Sequence, residues 1–158
     1  MRHSDNIKAF QGAGKASAAA FVLLLCLSLS CSRSASNANG GSPQNQVSYA
    51  GTFTNSAAPD SSKATGTVSL SFDPSSRSIS FTFTWSSLTS KPVAMHLHDA
   101  GPVIVPVYGY PVTTSGTVSY KASLTAAQAS DLQAGLIFAM IHTANYPSGE
   151  IMATLFKH

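Results

Sequence analysis

The 158-residue chain has only two cysteines, Cys26 and Cys31, and both fall within its first 31 residues. The rest of the chain therefore has no disulfide, no thiolate metal site and no cysteine nucleophile. Charge is scarce as well, with Asp, Glu, Lys and Arg making up 9% of residues. From Cys31 onward six bases (Arg33, Lys63, Arg77, Lys91, Lys121, Lys157) stand against five acids (Asp60, Asp73, Asp99, Asp131, Glu150), so this part is close to neutral. It has no basic cluster, which removes the electrostatic footprint of nucleic-acid binding and excludes partners of that class. A single Glu among scattered Asp residues makes no acid/base pair, and no Ser-His-Asp arrangement has local support, so no enzymatic reaction is expected. The longest apolar run, from Ala16 to Leu27, falls short of the ~20 residues that a membrane-spanning helix requires.

That run fits an export signal better. Arg2, Lys8 and Lys15 precede it, giving the basic and apolar regions of a secretory signal. Next comes Leu27-Ser28-Leu29-Ser30-Cys31, which resembles a lipobox, where a small residue precedes a cysteine that becomes diacylated. Ser28 and Leu29 depart from the usual order of an aliphatic and then a small residue. The expected organisation is a lipoprotein signal peptide over 1–30, lipidation at Cys31, a Ser/Asn/Gly tether over 31–46 and a domain over 47–158. The lipid would hold that domain at the cell envelope, on an outer-membrane, periplasmic or extracellular face. The alternative is an ordinary signal cut near Ser34-Ala35-Ser36, which leaves no lipid.

From Val47 the pattern takes the period of two that marks half-buried strands. Val68, Leu70 and Phe72 alternate with Thr67, Ser69 and Ser71, and Ile79, Phe81, Phe83 and Trp85 alternate with Ser80, Thr82 and Thr84. Asp73-Pro74-Ser75-Ser76 between the two runs is turn chemistry, so they read as a hairpin with its aromatics in the core. Further strands are expected at Val47–Thr54, Val93–His98, Val103–Val107, Gly116–Ala122, Leu136–His142 and Glu150–Phe156. About eight short strands separated by Pro- and Gly-containing loops indicate an all-β fold, an antiparallel β-sandwich of Ig-like or Greek-key type. One short helix is expected near 125–134, because Thr125 with Gln128 forms a capping-box pattern and Gly135 follows as a C-terminal stop. Tyr108, Tyr110 and Tyr146 lie in Pro/Gly loops, where a tyrosine either anchors a partner or packs on its own sheet.

Several of these segments together resemble the CHRD domain, named from chordin and also found in bacterial secreted proteins. The resemblance is carried by Ser123 to Gln128, Ala134 to Phe138, Ile141-His142-Thr143-Ala144 and Tyr146-Pro147-Ser148-Gly149-Glu150-Ile151, with His96-Leu97-His98 in place of the family's His-x-His. It extends over roughly Ser48 to Phe156. Two departures stand out: the loop after His98 is short, and Met152-Ala153-Thr154 replaces the family's usual Arg-Gly-Gln. The resemblance implies an extracytoplasmic β-sandwich and names no particular reaction.

The chemistry-bearing candidates are few. His96 and His98, two apart on a strand, project from one face, opposite Val93, Met95 and Leu97. His142 near the end of another strand is a plausible third member, with Asp99, Thr143 and Glu150 close by in sequence. A His-x-His pair plus a distant His is a common way for a β-sandwich to hold copper or zinc. The other reading makes the same histidines a structural network, their ring N–H groups bonded to Glu150 and to loop carbonyls. The expected function is a non-enzymatic binding or scaffold module, attached to a membrane through Cys31 and engaging an envelope protein or glycan. The alternative is a copper- or zinc-binding protein.

Overall fold

The computed structural model describes residues 45–56 and 62–158. The expected export signal, Cys31 and the tether up to residue 44 lie outside the described residues. Among the described residues nine strands and one helix follow in the order β1 (Val47–Asn55), β2 (Thr65–Asp73), β3 (Ser78–Ser86), β4 (Pro92–Asp99), β5 (Val103–Pro106), β6 (Gly116–Ser123), α1 (Ala126–Gln133), β7 (Ile137–Thr143), β8 (Ile151–Thr154) and β9 (Phe156–Lys157). The all-β antiparallel expectation holds. The strands run β5-β4-β7-β8-β1-β2-β3-β6, with β9 on β1, as a nearly closed, barrel-like sheet. β1 joins its two halves, pairing with β2 along Val47 to Phe53 and with β8 at Thr54 and Asn55.

Alternation explains the core. Val68, Leu70, Phe72, Ile79, Phe81, Phe83 and Trp85 are all buried, and the Ser and Thr residues between them face outward. Phe83 meets Phe53 of β1 edge-on at 5.4 Å, a favoured aromatic geometry that ties β3 to the shared strand. In the hairpin turn the Asp73 carboxylate accepts the Ser75 N–H and the hydroxyls of Ser75 and Ser76.

Two sequence expectations need correction. The segment from Glu150 to Phe156 is not one strand. It breaks at buried Leu155, whose N–H donates to the Ile137 carbonyl, so that β8 pairs with β7 while β9 turns to β1. Val93 does not share the inner face with Met95 and Leu97. The β4–β7 register shifts between Pro92 and Ala94, and the extra residue in this bulge is turned outward, leaving Val93 56% exposed.

The helix is set by its ends. The Thr125 hydroxyl accepts the Gln128 N–H, and the Gln128 side chain accepts the Thr125 N–H. At the other end Gly135 takes φ +74, so its N–H reaches the Leu132 carbonyl and the Leu136 N–H reaches the Asp131 carbonyl. This pattern closes the last turn and turns the chain into β7. Thr125→Ala is expected to lower stability by about 1 kcal/mol, read as a lower urea midpoint with an unchanged slope.

Candidate metal centre

The sheet formed by β4, β7 and β8 presents two chemically different faces. Met95 pairs with Ile141 and Leu97 with Ala139, and all four are buried in the core. The intervening residues face the other way in three rows: Ala94 beside His142, His96 beside Met140, and His98 beside Phe138. Met152 and Thr154 of β8 extend the last two rows, opposite Met140 and Phe138 respectively. His142 is therefore diagonal to His96 across the strands, next to the small side chain of Ala94, within reach of a long side chain.

One ring nitrogen from each of His96, His98 and His142 lies within 4.8 Å of the others. His96 Nδ1 is 3.3 Å from His142 Nε2. His142 Nδ1 lies 3.0 Å from the Pro147 carbonyl, and His98 Nδ1 lies 2.8 Å from the Gly101 carbonyl. A carbonyl only accepts, so both Nδ1 atoms carry hydrogen and both Nε2 atoms present lone pairs. His142 Nε2 then accepts from His96 Nδ1. His98 Nε2 is buried without a hydrogen-bond partner, in a side chain only 8% exposed whose ring stacks on Phe138 at 4.9 Å. Burial holds His96 below its ordinary pKa of 6.5, and the charges that His142 and His98 could carry push it the same way, so His96 favours its neutral ring.

The surrounding candidates divide. Thr143 and Glu150 form a separate buried cluster. The Glu150 carboxylate accepts the Ser62 hydroxyl at 2.6 Å and the Thr89 N–H at 2.8 Å on Oε1, and the Thr143 hydroxyl at 2.7 Å and the Thr89 hydroxyl at 3.0 Å on Oε2. These four donors saturate it. Burial pushes its pKa up, but the four bonds outweigh burial and hold it below 4.5. Glu150 thus bonds to no histidine, which corrects that half of the structural reading; the half that invoked loop carbonyls stands at His98 and His142. Asp99 does not join the histidines either. It lies on the other side of the strand, where burial first and the Asp131 carboxyl second raise its pKa.

Sequence reasoning missed Ser62 and Thr89, which come from loops far from Glu150 along the chain. It also missed the Gly101 and Pro147 carbonyls that set the imidazole tautomers. Met140 was missed as well, although the alternation of Phe138, Met140 and His142 along one strand face is a signal that could have found it. Tyr108 is 66% exposed with its ring edge-on to Tyr120, so it packs on its own sheet while keeping an open side.

Fold and site together define a β-rich domain with an imidazole cluster on the outer face of one half-sheet. Residues 42–154 match the CHRD domain, and the chain belongs to the CHRD-domain family. No curated protein and no solved structure matches it. Membership of this family supports a binding module.

Proposed function

We propose that this domain is a non-enzymatic metal-binding module that holds one copper or zinc ion through His98 Nε2, His142 Nε2 and His96 Nδ1, the last after its hydrogen has moved to Nε2 and the ion has replaced the bond to His142. The observation that carries the reading is the buried, unpartnered Nε2 of His98 in a ring fixed by its other nitrogen. A buried polar atom without a partner is costly, and a metal ion is the partner its neighbours would supply. Two further features support it. Ligating histidines usually donate their second ring N–H to a carbonyl or carboxylate, as His98 and His142 do here. With metal–nitrogen bonds of about 2.0–2.1 Å, two ligands of a tetrahedral ion stand about 3.3 Å apart. His96 and His142 already have that spacing. Three protein ligands leave a fourth position for water, a partner's side chain or another donor.

Lipidation at Cys31 belongs to the same proposal, since it would place this module on an envelope membrane, where it could take up or pass on a metal ion or dock on an envelope protein or glycan. The test is metal content and affinity of the full chain purified without an affinity tag, beside the His96→Ala/His98→Ala variant. One equivalent of copper or zinc, lost in the variant, is the expected result. No metal in the parent, with a large stability loss in the variant, would make the histidines structural and return the function to a scaffold.

A further inference from the structure

We infer that Met140 is the fourth ligand of the histidine cluster and that the cluster selects Cu(I) over Zn(II). This rests on the metal-binding reading above and names the metal. The row that contains His96 continues with Met140 of β7 and Met152 of β8, each directly opposite its neighbour and on the same outer face. Directly opposed side chains have Cβ atoms about 4.5–5.5 Å apart, and His142 is two residues along the same strand from Met140. Met140 is thus flanked by His96 across the strands and His142 along its own, with His98 one diagonal away.

The alternatives for a fourth protein ligand are closed off. Among the described residues there is no cysteine. Glu150 is saturated by four donors inside the protein, and Asp99 faces Asp131 on the other side of β4. The donors left beside the imidazoles on this face are neutral, and the thioethers are the soft ones among them. Zinc takes imidazole, thiolate and carboxylate ligands, whereas Cu(I) accepts thioether readily. A histidine cluster bordered by two methionines and no free carboxylate matches Cu(I).

The Met140 side chain lies beside the loop that returns from His142. Its Sδ, Cγ and Cε occupy the space that a Cβ on Gly149 would need. Gly149 has φ +119 and belongs to the same loop whose Pro147 carbonyl orients His142. In the proposed site the sulfur turns from this glycine shelf towards the imidazoles when the ion binds, a motion that the three flexible torsions of methionine allow.

The test titrates the full, untagged chain anaerobically with Cu(I) against a chromophoric Cu(I) chelator, and separately with Zn(II), for the parent and Met140→Leu. Leucine keeps the volume and removes only the sulfur. Cu(I) affinity is expected to fall by about tenfold or more in the variant, the scale on which supporting groups tune metal sites, with Zn(II) affinity unchanged. X-ray absorption of the Cu(I)-loaded parent gives a second readout that does not depend on the variant folding, and a sulfur scatterer beside nitrogen is expected. An all-nitrogen shell, or equal Cu(I) affinity in parent and variant, overturns the role of Met140 and leaves the histidine site standing. A parent that binds neither ion overturns the metal-binding reading itself.

Discussion

Replacing Glu150 with alanine is expected to lower the unfolding free energy by about 2–6 kcal/mol, because two buried hydroxyls, those of Ser62 and Thr143, each lose an acceptor at about 1–3 kcal/mol. The carboxylate is 1% exposed and accepts from three separate stretches of chain: Ser62 ahead of β2, Thr89 between β3 and β4, and Thr143 at the end of β7. Truncation leaves the Ser62 and Thr143 hydroxyls buried and facing a cavity, each with its own desolvation cost, whereas exposed Thr89 can turn to water. Chemical denaturation at neutral pH measures the loss directly. A change below about 1 kcal/mol would mean that the hydroxyls find other partners, and that the cluster is not what fastens these loops.

Acid gives the same residue a second signature. The folded pKa of Glu150 lies below its ordinary 4.5, so the folded state favours the charged form. Its contribution is therefore complete above pH 4.5 and is lost as pH falls through the lower folded value. The parent should lose stability over that window, and Glu150→Ala should lose less, so the two stability curves converge towards low pH. Loops matter here as well as stability. The Asn145 side chain donates to the Thr89 carbonyl at 3.3 Å, so the segment that returns from His142 to Glu150 is docked on the same region that Glu150 grips. Loosening it would release the Pro147 carbonyl from His142 Nδ1 and weaken metal binding without touching a ligand.

The strands were legible where one face is buried and the other wet, because a two-residue period then appears directly in residue type. This is why β2, β3 and their aromatic core stand out, and why His96 and His98 could be assigned to one face. Local chemistry was legible too: Thr125 with Gln128 starts the helix and Gly135 ends it. What resisted reading depends on pairing between distant segments. Nothing near Val93 signals the bulge, which arises from register with β7, and Leu155 looks like any strand residue until β8 is seen to bridge β7 and one end of β1 while β9 pairs farther along β1. Glu150 follows the same rule. The sequence marks it as a candidate, but two of its three donor residues lie 88 and 61 residues away, so histidines seemed as plausible as the hydroxyls it uses.

His98→Leu is expected to separate stability from function in opposite directions. In the protein without metal, leucine removes a buried nitrogen that has no partner, which relieves roughly 1–3 kcal/mol of desolvation. It also gives up the bond to the Gly101 carbonyl, worth about 1 kcal/mol, but Gly101 is exposed and its carbonyl can turn to water. An apolar side chain still packs against Phe138, so the net change should be a gain of up to about 1 kcal/mol, or several degrees in Tm for a domain this size. Metal reverses the order. The parent should gain about 2.7 kcal/mol at a metal concentration of 100 Kd, and the variant, short of a ligand, should gain almost nothing. Melting curves of both proteins with and without Cu(I) or Zn(II) would therefore cross in rank. If His98→Leu is instead markedly less stable without metal, the imidazole is a structural member held for its own bonds. A residue that costs stability until an ion arrives is the pattern expected of a functional ligand, because binding geometry and optimal packing make different demands on one side chain.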